Sequence, residues 1–587
     1  MGVWHGVPRA KIRSVANSSK LTALLALSAL TALRISSQER SQSGLDFEGI
    51  RPLISQAERA PHTMIASAHE LATAIGLRVL QRGGNAVDAA VAVGFALAVV
   101  HPEAGNLGGG GYMVVRMSDG RARAFDFKEA VPAAATIDAF PDSTRPYVGY
   151  KTAGVPGTVA GLALAHRRFG KLPWATVLEP ARLLAEHGFP ASQRMEIVLR
   201  LQAPVMKDFP ETARVFLHAG QALQQGELVR MPDLAATIGR LQKQGGRDFY
   251  EGQTARLIAA DMKANGGFIT LEDLKAYTAI EEEPLKGTYR GYQVLTMPPG
   301  SSGGFVLLEM LNILQRFPMD PGMEGSAHSR HLLAEAMRRG FRDRLLYASD
   351  PGVAAVPLDK LLSDAYADRQ AATIHKDDRI TPAAELASPE DLQDRPESPH
   401  TTHFSIADKD GNLVSTTYTL GSFYGSQVIP KKTGVLLGDM VGTIASGEKA
   451  HRSRHNALTP GARLISAMAP TIVLRPDGAS WLAFGTPGGV TIPGTLMQVL
   501  VNLIDYKMPL RDAIEYPRIH DAFSPDRIEA EPGAIVFDVA ERLRDLGYVI
   551  DRRVRSQGDI HGVLIEEKTG MRQGWSDGRR GGHAGGY

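Results

Sequence analysis

Cysteine is absent from all 587 residues. Its absence excludes disulfides, thiolate nucleophiles and cysteine-based zinc sites together, and leaves Ser, Thr, Lys or a carboxylate as the possible nucleophile. An excess of charge of one sign is also missing. The formal balance is +2 at pH 7, which offers no electrostatic footprint for nucleic acid. The N-terminal apolar run, Leu21 to Leu33, falls short of the roughly 20 residues a membrane span needs, so no stable membrane insertion is expected. Preceded by Arg9, Lys11, Arg13 and Lys20, it fits the central region of a secretory signal. Residues 1–40 therefore read as a signal peptide or N-terminal extension, and a periplasmic or secreted protein is expected. What is present is core material: 43% of residues are apolar and 22% charged, in a chain longer than the roughly 250–300 residues at which one simple core stops growing.

Apolar spacing predicts a helix over Met64 to Leu80, stopped by Gly83-Gly84. Asn85 can cap a second helix, Ala86 to Val100, with Asp88 as the acidic partner of a capping box. That second helix is apolar nearly all round and should be buried. The run Gly105-Asn106-Leu107-Gly108-Gly109-Gly110-Gly111 follows, then a strand at Tyr112 to Val115. Such glycines let the backbone approach something closely. They make a poor phosphate loop, because no Lys-Ser/Thr follows and a strand stands where a helix should. Residues 156–290 alternate amphipathic helices with short loops. Ser388 to His400 is polar, contains proline and reads as an exposed linker. The tail, Gly578 to Tyr587, is rich in Gly and Arg and is loosely held unless it docks. His451 and His455 stand four apart among Arg and Ser and read as a basic loop rather than metal ligands.

The segment Thr401 to Leu420 reads as a β-hairpin, two strand-like runs around Asp410-Gly411-Asn412. If paired residue numbers sum to 820, Thr401, His403, Ser405, Ser415, Thr417 and Thr419 share one face, and Phe404, Ile406, Val414, Tyr418 and Leu420 the other. A shift of one residue mixes the faces, so this register is selected. It sets Thr401 opposite Thr419, close enough for their hydroxyls to interact. On its own the pattern also suits a plain Thr-rich strand pair. A second hairpin, Pro470 to Leu474 and Ser480 to Phe484, ends in Gly485-Thr486-Pro487-Gly488-Gly489 before a helical stretch, Thr495 to Ile504. Two glycines ahead of a helix offer backbone N–H groups to an anion, the form of an oxyanion hole, although an ordinary strand-to-helix turn looks the same.

These stretches, with GGNAVDAAVAVGFALAVVHPEAGNLGGGGYMVVR at 83–116, GVPGTVAG at 154–161 and PPGSSGG at 298–304, resemble the γ-glutamyltranspeptidase (glutathione hydrolase) family of N-terminal-nucleophile hydrolases. The resemblance runs from about Met64 to Tyr587. It implies an α+β fold, an αββα four-layer sandwich, made as one proenzyme and cut between His400 and Thr401. The products would be a large chain, 41–400, and a small chain, 401–587, forming one intertwined heterodimer. It implies Thr401 as nucleophile, Thr419 as its activating hydroxyl and Gly488 and Gly489 as oxyanion donors. The substrate would be a small γ-glutamyl amide, with no cofactor and no metal.

The positions that would hold the glutamyl head group match less well. The family's arginine is Lys128 here, which keeps the charge but loses the bidentate fork. Its asparagine is Gly421, its Ser-Ser pair is Ser466-Ala467, and the second of its acidic pair is lost; Asp439 lies near that stretch but is not assigned the role. A related amide acylase with a non-glutamyl substrate is therefore the alternative. Two readings of another class remain: Gly300-Ser301-Ser302-Gly303-Gly304 fits a nucleophile elbow centred on Ser302, and an inactive relative could act as a binding protein.

Overall fold

The period-two pattern from Thr401 to Thr419 folds as it predicts. In the computed structural model the two runs pair antiparallel, with Thr401 opposite Thr419, His403 opposite Thr417 and Ser405 opposite Ser415. The structure describes residues 56–140, 147–375, 379–387, 400–449 and 458–552, and 556–587. The signal-like segment 1–40, residues 388–399 of the linker, and His451 and His455 lie outside the described residues.

Numbered in chain order, the strands of the two main sheets are β1 (Glu58–Ala60), β2 (Met64–Ser67), β3 (Gly110–Arg116), β4 (Ala122–Asp126), β5 (Ile280–Glu282), β6 (Leu285–Tyr289), β7 (Tyr292–Thr296), β8 (Thr401–Ala407), β9 (Leu413–Thr419), β10 (Thr471–Leu474), β11 (Ser480–Gly485), β12 (His561–Ile565), β13 (Arg572–Ser576) and β14 (His583–Gly586). One seven-stranded sheet runs β1-β13-β12-β11-β10-β7-β6, and the other runs β14-β2-β8-β9-β3-β4-β5.

Side chains that alternate across a strand decide which face goes where. The hydroxyl face of β8 and β9 meets the first sheet: Ser405 Oγ donates to the His561 carbonyl and Ser415 Oγ to the Phe484 carbonyl, each at 2.9 Å. The apolar face, with Phe404, Ile406, Val414 and Tyr418, packs on helices α1 (Glu70–Gln81) and α2 (Ala86–Val100). On the far side of the first sheet, α3 (Gly303–Leu314), α4 (Ala327–Tyr347) and α5 (Ile492–Ile504) cluster with Val294, Ile472, Val473 and Leu482. The order is helix, sheet, sheet, helix, the αββα sandwich. Residues Ala57–Tyr587 make one compact unit, and no described helix is long and apolar enough to cross a membrane.

α2 is buried along its whole length and carries the predicted capping box. The Asn85 side chain accepts from the Val87 and Asp88 amides, and Asp88 accepts from Asn85 N at 3.0 Å. Such a cap is worth about 1 kcal/mol. Two expectations need correction, and the tail, left conditional, is decided. Met64–Ser67 is a strand, and α1 starts only at Glu70, capped by His69. Four residues covered on both faces give no alternation, and periodicity cannot separate such a run from a helix. The helical stretch 156–290 ends in strands β5 and β6. The tail does dock: β14 pairs with β2, Met64 opposite Gly586 and Ser67 opposite His583.

Candidate active site

β8 is paired with β2 only from Phe404 to Ala407. Its first three residues project past that neighbour, which puts Thr401 at an end of the sheet. Thr401 is 6% exposed and Thr419 4%. Thr419 Oγ1 lies 2.8 Å from the carbonyl oxygen of His400 and 2.9 Å from Gly421 N. A carbonyl can only accept and an amide can only donate, so the hydroxyl proton must lie on the His400 carbonyl. The bond joining His400 to Thr401 is therefore polarised at its oxygen. The His400 ring stacks on Phe423, with centroids 3.5 Å apart.

The glycine run sits against this point. Thr419 is opposite Gly110 and Tyr418 opposite Gly111. A Cβ on Gly109 would run into the Thr419 carbonyl, and one on Gly108 into the Leu436 carbonyl. Asn106 sets the turn, its Oδ1 accepting from Gly109 N at 2.9 Å and Thr158 Oγ1 at 2.7 Å. What the glycines approach is thus this protein's own backbone beside Thr419.

The same row continues to Lys128. β3 pairs with β4 with Tyr112 opposite Asp126, and two more steps of that register set Lys128 opposite Gly110. Thr401, Thr419 and Gly110 form one row across three strands, spaced roughly 4.8 Å apart per strand, and Lys128, two residues past the end of β4, continues it beyond the Gly111–Phe127 backbone bonds. Lys128 is fully buried, and its Nζ is paired with Glu129 Oε2 at 2.6 Å. Its charge is already matched inside the wall. The other oxygen of Glu129 is buried without a hydrogen-bond partner, against Gly438.

Gly421 and Asp439 occupy one space between them. Gly421 has φ +95°, and a Cβ there would collide with Asp439 Oδ1. That oxygen accepts from Ser422 N at 3.0 Å. Burial pushes the Asp439 carboxyl up to about 6, offset in part by the bonds from Ser422, with the Glu129 charge adding to the rise. Ser466 and Ala467 are held by the PPGSSGG loop. The Ser466 carbonyl accepts from Ser302 N at 2.8 Å, Ser302 Oγ at 3.0 Å and Ser301 Oγ at 3.1 Å. Ser302 Oγ also accepts from Arg344 Nε at 3.0 Å. Its proton lies on a carbonyl and its lone pair faces a cation, so it has no base: the nucleophile-elbow geometry is absent and the loop is a clamp on Ser466.

Gly488 and Gly489 stand at positive φ, +149° and +61°, in the turn between β11 and α5. Phe484 bonds Ser415, and Gly485 lies against the His403 ring. The chain leaving β11 thus steps from the level of Ser415 to that of His403, toward the level of Thr401.

Sequence reasoning placed His403 on the hydroxyl face without giving it a role, and passed over Arg463. His403 is buried, with Nδ1 2.8 Å from Thr417 Oγ1 and Nε2 2.8 Å from Ser405 Oγ. Burial holds it well below the usual histidine range, so it is neutral and ties the hydroxyl face together. The Thr-x-His spacing on one face was the available signal. Arg463 reaches Asp126 at 3.0 Å and lies over Tyr277, bracing the wall behind Lys128; no local pattern marks it.

Comparison with known proteins identifies the family and the fold. The family model described as gamma-glutamyltranspeptidase matches residues 72–587. The glutathione hydrolase proenzyme of Escherichia coli strain K12 is 39% identical over 498 residues, 83% of this chain and 85% of that protein. The acylase ACY 1 proenzyme of Pseudomonas sp. strain V22 is 34% identical over 524 residues, 86% of this chain and 91% of that protein. The crystal structure of a cephalosporin acylase from Bacillus halodurans superposes with a TM-score of 0.81 at 27% identity, covering 93% of this chain and 99% of that one. With a family model spanning nearly all of the described chain, this protein belongs to the gamma-glutamyltranspeptidase family.

Proposed function

We propose that the chain is a self-processing γ-glutamyltransferase and glutathione hydrolase whose working nucleophile is Thr401. The observation that carries the reading is the hydrogen bond from Thr419 Oγ1 to the His400 carbonyl, in a register that sets Thr401 beside it. In the precursor, the Thr401 hydroxyl attacks the His400 carbonyl carbon. The C–N bond breaks as the amine takes a proton, and the resulting ester is hydrolysed by water. Residues up to His400 become the large chain, Thr401–Tyr587 the small one, and the two remain one heterodimer.

Cleavage leaves an α-amine on Thr401 with a reference pKa of about 7.7–8.0, near the working pH, so it can take the hydroxyl proton. Attack on a small γ-glutamyl amide gives an acyl ester on Thr401 and a protonated leaving amine. Backbone N–H groups of Gly488 and Gly489 hold the oxyanion, each such donor being worth about 3–4 kcal/mol of barrier. Water or a second amine then takes the acyl group. Export to the periplasm or medium goes with this role.

Acyl preference is where a second reading has support. Lys128 is neutralised by Glu129, and Asp439 fills the space beside Gly421, so a head group bound through its carboxylate meets a wall of matched or negative charge. A related non-glutamyl amide substrate suits that wall, and acylases are among the relatives. Intact mass and N-terminal sequencing test the mechanism: two chains are expected, the smaller starting Thr-Thr-His. A panel of γ-glutamyl and non-glutamyl anilides separates the two substrates. A chain that stays whole yet turns over either one would overturn the Thr401 mechanism.

A further inference from the structure

Most buried arginines of this protein meet a carboxylate. Arg338 lies 3.1 Å from Asp521, Arg339 2.5 Å from Glu335 and Arg518 2.7 Å from Asp577. Arg330, on α4, is equally deep at 3% exposed, and differs. Among the described residues its one hydrogen bond is from Nη2 to the Pro517 carbonyl, at 3.2 Å. Its guanidinium stands 5.4 Å above the Tyr516 ring, and its Nε, like those of Arg338 and Arg518, is buried without a partner among the described residues; what sets Arg330 apart is that no carboxylate reaches its other nitrogens there. The carboxylate that acts on it through space, Glu531, is already paired with Arg579 at 2.5 Å. A guanidinium stays protonated in a protein, and an unmatched buried charge is strongly unfavourable.

Arg330 lines a cavity between α4 and α5 whose wall includes Ser329, Asn502, Tyr506 and Tyr516. The partly open space has room for about one particle the size of a water molecule. The Ser329 and Tyr506 hydroxyls share one hydrogen bond of 2.5 Å. Whichever donates to the other, a second hydroxyl proton remains to point elsewhere. Burial pushes Tyr506 up to about 12, so it is a neutral donor at any working pH. A permanent cation, a spare hydroxyl donor and room for one small particle suit a single monoatomic anion.

We propose that this cavity is a halide site, in which a chloride ion balances Arg330 and bridges α4 to α5, the helix that follows Gly488 and Gly489. Polyatomic oxyanions are too large for the space, and water would leave the charge unmatched. The proposal is independent of the substrate of Thr401.

The test uses the processed enzyme, exchanged into gluconate at constant ionic strength and titrated with sodium chloride or bromide. A saturable rise in Tm of about 2 °C is expected, given equally by bromide, and bromide-soaked crystals should carry an anomalous peak beside the Arg330 guanidinium. Arg330→Met should abolish the halide response. Equal stability in gluconate and chloride, an equal effect of acetate, or a bromide response surviving in Arg330→Met would each overturn the site. Should that variant fail to fold, the wild-type crystals still decide, because a cavity holding only water after the soak overturns it too.

Discussion

The hydroxyl row at the end of β8 and β9 and the charged wall beside it sit on the same sheet, yet different forces hold them. In the row, position follows from backbone pairing. Thr401 faces Thr419 because seven consecutive residue pairs share one register, and a slip of one would turn a buried polar face onto α2. In the wall, position follows from pairs of buried groups that choose one another: Lys128 with Glu129, Asp126 with Arg463, Asp439 with the vacancy at Gly421. Register is cooperative and tolerates little change. A charge pair can be exchanged for another one site at a time. Chemistry should therefore be robust in this protein, and acyl preference open to drift.

Four substitutions can break or sharpen that contrast. Thr401→Ala should leave a single unprocessed chain by mass spectrometry and lower kcat by at least ~10⁴-fold, as loss of a nucleophile does. Processing and turnover in that variant would remove the row from catalysis altogether. Thr419→Ala takes the hydroxyl off the His400 carbonyl. Processing followed on gels, and kcat of whatever matures, should each fall by about 10²–10³-fold, the usual result of losing one donor to a developing oxyanion.

In the wall, Asp439 gives a pH signature. Its carboxyl ionises near 6 when folded against an ordinary 3.8. Between those values the unfolded chain has released its proton and the folded one has not, so stability falls as pH rises from about 4 to 6 and is flat above. The full effect is about 3 kcal/mol. Asp439→Asn should raise stability above pH 6 and remove that decline in urea titrations of the processed enzyme; an unchanged profile would mean the carboxylate is matched by a cation. The smallest effect is expected of Lys128→Arg. A larger head in a fully buried pair should lower stability by about 1–3 kcal/mol, while kcat/KM for a γ-glutamyl anilide changes less than roughly tenfold. A large gain in γ-glutamyl preference would return position 128 to the substrate.

How much could be read in advance depended on how local the cause was. The capping box of Asn85 and Asp88 lies within four residues and was legible in full. So was the hairpin register, because alternation and a turn fix it. Met64–Ser67 was misread as helix, since its strand character comes from β8 and β14, hundreds of residues away. The docking of the C-terminal tail has the same origin. Ser302 looked like a nucleophile by pattern, and only its contacts with Ser466 and Arg344 disclose a clamp.

The sequence by itself determined the hydroxyl face, its register and the threonine at the start of β8, because side chains alternate with a period of two and one face must be buried. Only the tertiary structure decided that Lys128 is matched by Glu129, that Asp439 takes the space at Gly421, and that Arg330 meets no carboxylate among the described residues. Charges are paired through space in a medium of low dielectric, and no periodicity along the chain records which groups will meet there.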